Sequence, residues 1–98
     1  DLANAKFKTD KLEYYNHEFH SKDNYAYLVD KDDAIPINVY LGVDLAYEAN
    51  SHNDYQIIMV IGIDSDRNFY VLDYFREHIP LYDMPLEIFN YAKEFSPV

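Results

Sequence analysis

Ile37-Asn-Val-Tyr-Leu-Gly-Val-Asp44 is the stretch on which the reading of this chain turns. Ile37, Val39, Leu41, Val43 and Leu45 alternate with Tyr40, Gly42, Asp44 and Ala46, the period of a strand with one apolar face. The spacing predicts a strand over 37–46 that carries Asp44 to its carboxyl edge. A charge placed there is expensive to desolvate unless an ion or a hydrogen bond compensates it. Because a second apolar strand follows, Asp44 is expected to be a metal ligand; a strand-end Asp held by water is the competing reading.

Working outward, Asp54 to Asp64 and Phe69 to Arg76 read as two further strands, reached through a polar loop and the tight turn Asp64-Ser-Asp-Arg-Asn68. Three strands so connected predict an antiparallel meander. Gln56 to Ile63 is apolar on both faces and is expected to lie under cover on both sides, while Tyr70, Tyr74 and Arg76 suit the third strand to partial exposure. A helix is predicted over 85–95. Met84, Ile88, Tyr91, Ala92 and Phe95 recur at three- and four-residue steps, Asp83 offers a cap, Pro85 suits the first turn and Ser96-Pro97 ends it. Before residue 37 no periodicity emerges. Residues 1–36 read as an irregular connector, with a short helix from Thr9 through Leu12 to Tyr15, closed by Asp30-Lys-Asp-Asp33 and Pro36.

The series Val39-Tyr-Leu-Gly-Val-Asp44-Leu-Ala46, Asp54-Tyr-Gln-Ile-Ile, Ile57 to Ile63 and Phe69-Tyr-Val-Leu-Asp73 resembles the nuclease domain of viral large terminases. The resemblance covers residues 37–98 and rests on a hydrophobic strand with Gly-x-Asp-x-Ala, a polar loop, Asp-Tyr before the next strand, then a third strand and a helix. It implies an α/β, ribonuclease H-like fold, with the three-stranded meander and helix as its amino-terminal portion. It also implies cleavage of concatemeric DNA during phage DNA packaging, with two Mg²⁺ or Mn²⁺ ions held by several carboxylates. Asp44 matches the first-strand metal ligand and catalytic residue. Asp54 matches a recurrent acid that either helps at the metal or holds the loop through a backbone hydrogen bond. The family's other acids lie on a fourth strand and beyond, so the chain is expected to carry only part of the site. Lys6 to Tyr15 is similar to the connector that follows the family's packaging ATPase. The partners implied are double-stranded DNA, that ATPase domain, the portal and the small terminase subunit, in the host cytoplasm.

Composition sets limits on this reading. The 98 residues suffice for one small domain, and 49% hydrophobic with 17% aromatic content argues against disorder. There is no cysteine, hence no disulfide framework and no thiolate zinc site. The longest apolar run, Ile57 to Ile63, is too short to span a bilayer as a helix. The net charge of −10 disfavours a free-standing nucleic-acid binder, because phosphates are neutralised by clustered Lys and Arg. Residues 37–98 carry ten acids against three bases, so the nuclease-like part is the more acidic one. DNA grip is therefore expected from elsewhere.

Other candidate groups are weaker. His17 and His20 stand three apart without a matching ligand pair. Asp30, Asp32 and Asp33 begin like a calcium loop, but Ile35 and Leu41 occupy the positions that need Gly and Glu. Glu48, Asn50 and His52 read as ordinary loop residues, Asp64-Ser-Asp66 as a turn, and Asp73 as a strand acid with Arg76 or solvent for partner. No Gly-rich phosphate loop and no activated Ser or Cys arrangement occurs. Two alternatives stand beside the terminase reading: a non-enzymatic acidic phage interaction protein or DNA mimic, and another ribonuclease H-like enzyme such as a transposase or resolvase.

Overall fold

The computed structural model describes residues 3–8, 11–47 and 54–98. Among them are seven strands: β1 (Ala5–Lys8), β2 (Lys11–Tyr14), β3 (Glu18–Lys22), β4 (Tyr25–Asp30), β5 (Asp33–Asp44), β6 (Gln56–Ile63) and β7 (Phe69–Glu77). They form one sheet in the order β2-β1-β7-β6-β5-β4-β3, antiparallel at every pairing. The single turn Leu81–Asp83 then leads into the helix α1 (Met84–Phe95).

This architecture overturns the expected ribonuclease H-like fragment of three strands, one helix and an irregular connector. The second and third strands and the helix lie close to where the sequence places them, and β5, β6 and β7 are hydrogen-bonded in the expected order; the first strand, expected over 37–46, instead runs Asp33–Asp44, through the proline expected to precede it. The residues read as a connector, however, supply β1 to β4. Two-residue turns make this possible. Asp23 and Asn24 both take positive φ, 53° and 68°, the backbone that matches the twist of a hairpin, and Lys31 at 43° serves the turn from β4 into β5. The helix expected over Thr9 to Tyr15 is also corrected, since Lys11–Tyr14 is β2; Thr9 itself lies outside the described residues.

Strand β5 joins the two halves of the sheet. Its residues 33–37 pair with β4, and its residues 38–44 pair with β6. Pro36, opposite Tyr27, therefore faces no strand on its β6 side, which is why a residue without an N–H is tolerated inside a long strand. Beyond residue 37 the other edge of β5 is likewise unpaired by any strand among the described residues; there Val98 N–H donates to the Val39 carbonyl at 2.9 Å.

Helix α1 covers one face of the sheet. Phe95 packs in a core with Leu28, Ile37, Val39, Val60 and Tyr70, and Tyr91, Leu41 and Leu72 border it. Gly62 permits this layer to close: a Cβ there would stand 2.7 Å from Ile37 Cδ1. Along β6 the residues Gln56, Ile58, Val60 and Gly62 are buried, while Ile57, Met59, Ile61 and Ile63 are half-buried. Cover on both sides of β6 was expected; no helix or second sheet lies over that second face among the described residues.

Candidate functional site

Asp44 ends β5 at the rim of the sheet, with its side chain exposed. Its cross-strand partner is Ile57, whose own partner on β7 is Arg76. Paired residues project from the same face of a sheet, so a carboxylate, an aliphatic group and a guanidinium form one row. Two strand spacings separate the outer members, roughly 10 Å between backbones. The row lies on the face that α1 does not cover.

Two local devices hold this rim. Gln56 is fully buried at the start of β6; its Oε1 accepts from Ala46 N–H at 2.8 Å, and its Nε2 donates to the carbonyls of Ala46 at 2.9 Å and Ile79 at 3.2 Å. One amide thus ties the chain leaving Asp44 to the chain leaving β7. The second device is a stack. The Arg76 guanidinium carbon stands 3.4 Å from the Tyr55 ring centroid, and the Tyr55 and His78 ring centroids are 3.9 Å apart. The planar guanidinium is favoured over an aromatic face, which leaves its N–H edge available to an anion. Sequence reasoning passed over Gln56, Tyr55 and His78. The available signal was Gln56 itself, a polar residue inside an otherwise apolar strand.

Asp54 lies half-buried just before β6, at the same end of the sheet as Asp44. The two acids therefore leave and enter the sheet at one rim. Glu48, Asn50 and His52 lie outside the described residues. Among the described residues no three His, Cys, Asp or Glu side chains converge as a metal-binding group.

The remaining candidates are placed elsewhere. His17 Nε2 meets Asp33 Oδ2 at 3.0 Å and His20 Nε2 meets Glu18 Oε2 at 3.4 Å, so each imidazole has its own carboxylate. Asp30 and Asp33 face each other across the β4–β5 turn. Asp64 organises the β6–β7 turn: its Oδ1 accepts from Asp66 and Asn68 N–H, and its Oδ2 accepts from Asn68 Nδ2 at 2.8 Å and the Tyr70 hydroxyl at 2.6 Å. Partial burial pushes the Asp64 pKa up, but the bonds from Tyr70, Asn68 and the backbone outweigh it and leave the carboxyl below its usual range. Asp73 does not pair with Arg76. It bonds the Tyr74 N–H at 2.7 Å and raises the pKa of Tyr15 and Tyr91, where burial is the larger cause.

Comparisons with family models, curated proteins and solved structures gave no match. No helix among the described residues is long and apolar enough to cross a membrane.

Proposed function

We propose that this chain contributes Asp44 to the divalent-metal site of a DNA endonuclease of the packaging-terminase type, acting in the host cytoplasm. The observation that carries the reading is the row at the sheet rim: an exposed carboxylate, in register through Ile57 with a stacked, exposed arginine. Oxygen donors suit hard cations such as Mg²⁺ and Mn²⁺. Asp44 and Asp54 fit that preference in kind, and a pair of acids is too few to hold two ions firmly. In such sites the metal ions activate a water and stabilise the leaving oxygen. Asp44 supplies negative charge at a rim open to solvent and to a polymeric substrate. Arg76, held flat on Tyr55, is suited to contact a phosphate on the same face. Beyond Val39, whose carbonyl accepts from Val98, the edge of β5 at Tyr40–Asp44 is paired by no strand among the described residues and leaves room for further ligands to approach from a neighbouring element or subunit.

It follows that the chain by itself binds Mg²⁺ or Mn²⁺ weakly and nicks plasmid DNA poorly or not at all. Titration with Mn²⁺ while recording amide resonances tests this. Paramagnetic broadening should centre on Asp44 and its neighbours in the row, and Asp44→Asn should remove it. Broadening centred on another cluster, or plasmid cleavage insensitive to Asp44→Asn, refutes the assignment.

The net charge of −10 favours a second reading, an acidic interaction module that presents its carboxylates to a basic partner. In that case Asp44→Asn removes one charge of many and leaves partner binding nearly unchanged.

A further inference from the structure

Strand β6 is apolar on both faces, and α1 covers one of them. Ile57, Met59, Ile61 and Ile63 project from the other face and are half-buried, with no helix or second sheet above them among the described residues. Register extends this strip across the sheet. Ile63 stands between Asn38 and Phe69, and that row continues through Phe7 to Leu12. In the next rows Ile61 stands between Tyr40 and Val71, and Met59 between Gly42 and Tyr74. Paired residues share a face, so three successive rows carry no charged side chain. Tyr40, Phe69 and Leu12 are 42%, 45% and 52% exposed. Charge enters only with the fourth row, Asp44-Ile57-Arg76, at the rim.

The folding of one chain does not account for this surface. Monomeric proteins rarely leave more than a few hundred Å² of contiguous apolar patch in water. A strand apolar on both faces calls for cover on both. The broad side of the body measures 47 × 32 Å, and a little over half of it supplies the roughly 800 Å² per partner of a standard interface. A net charge of −10 holds two copies apart elsewhere, so the uncharged rows are where they can approach.

We infer that two copies of this chain pack with these faces together, as a sandwich of two sheets about 10 Å apart, related by a two-fold axis that runs along β6. The charged row selects a second copy as the occupant and fixes the axis. Asp44 lies to one side of Ile57, on β5, and Arg76 to the other, on β7. Rotation about β6 exchanges the β5 side for the β7 side at the same height. Each Asp44 then faces the partner's Arg76, and no like charges meet. An axis across the strands would set Asp44 over Asn38 and Arg76 over Phe69, leaving both charges unpaired. Because the charged row is the border of the contact, Asp44 keeps one side in solvent. The dimer requires the charge of Asp44 and no metal, so it stands independently of the metal assignment.

Sedimentation velocity at physiological ionic strength, where repulsion between the acidic bodies is screened beyond about 8 Å, measures the association. The unmodified chain should pass from monomer to dimer between micromolar and millimolar concentration. Met59→Lys sets two ammonium groups against each other at the axis and should raise the dissociation constant about tenfold or more. The rim tests the geometry through exposed side chains. Asp44→Arg and Arg76→Asp should each weaken the dimer alone, whereas an equimolar mixture of the two single variants should associate about tenfold more tightly than either, because the mixed dimer restores both charge pairs. Phe69→Lys, three rows from Asp44, should weaken the dimer and leave the Mn²⁺ broadening at Asp44 in place, so the dimer and the metal site fail separately. A chain that stays monomeric at millimolar concentration, a dimer indifferent to Met59→Lys, or a mixture no tighter than its components overturns the inference.

Discussion

Gln56 shows how much a single side chain contributes to this rim. Its amide satisfies three backbone groups at once, and removing it strands Ala46 N–H, Ala46 C=O and Ile79 C=O in a partly buried seam. Gln56→Leu preserves bulk and loses all three bonds. Because water reaches part of the seam, the expected loss is about 2–4 kcal/mol, not three full penalties. Urea denaturation measures it, and hydrogen exchange at the Ala46 amide locates it. An Ala46 amide equally protected in the variant would show that the rim is held by other means. The position of Asp44 at a strand's exposed end was legible from alternation alone, whereas the part played by Gln56 was not. A carboxylate at a strand's end is conspicuous in a sequence, but an amide that closes a seam acquires its role only when the backbone of Ala46 and Ile79 is brought to it.

Among the elements, the four central ones were legible and the flanking ones were not. β5, β6 and β7 each bury a face, so burial imprints a pattern of apolar residues on their sequences, and the α1 stripe ends in buried Phe95. β2 is exposed along its whole length and β3 nearly so; with nothing to bury, they carry no alternation. Their strand character comes from pairing with neighbours and from turns such as Asp23-Asn24. The turn signal was present in the sequence, but without flanking alternation it was read as linker. Asp83 occupies the N-cap position as expected, yet its side chain makes no capping bond. The two glycines of β5 and β6 divide by the same logic of burial. A Cβ at Gly42 meets nothing closer than the Met59 carbonyl at 3.9 Å, so Gly42→Ala should stabilise by about 0.4–1 kcal/mol through the unfolded chain. At Gly62 the Ile37 side chain stands in the way, and Gly62→Val should destabilise by about 1–3 kcal/mol through overpacking. Thermal melts of both variants decide the matter; a stabilised Gly62→Val would mean that the α1 layer is not closed over β6.

At the scale of the whole molecule, one helix on one sheet gives a flat body of 47 × 32 × 19 Å with a net charge of −10, and tyrosines stitch its amino-terminal hairpin to its centre. The Tyr15 hydroxyl donates to the Val71 carbonyl at 2.7 Å, its ring meets Tyr70 edge-on, and the Tyr70 hydroxyl donates to Asp64. Burial, reinforced by the Asp73 charge, raises the Tyr15 pKa to about 12, and burial with the Asp64 hydrogen bond raises that of Tyr70 further. The folded protein therefore holds these protons at pH values where the unfolded chain, titrating near 10, has released them. The stabilisation is complete below pH 10 and is lost as the pH climbs from 10 through about 12. Each phenolate formed also adds to the negative charge of an acidic molecule, so self-repulsion acts in the same direction. Melting temperatures should fall steeply across that interval, and absorbance at 295 nm should show a subset of tyrosines ionising late, together with the loss of the far-ultraviolet sheet signal. Tyr15→Phe keeps the ring and removes the proton, so it should flatten the alkaline slope while lowering stability at neutral pH by the one lost bond. If all eleven tyrosines instead ionised together near pH 10 with the sheet intact, the attachment of the hairpin through Tyr15 and Tyr70 would be wrong.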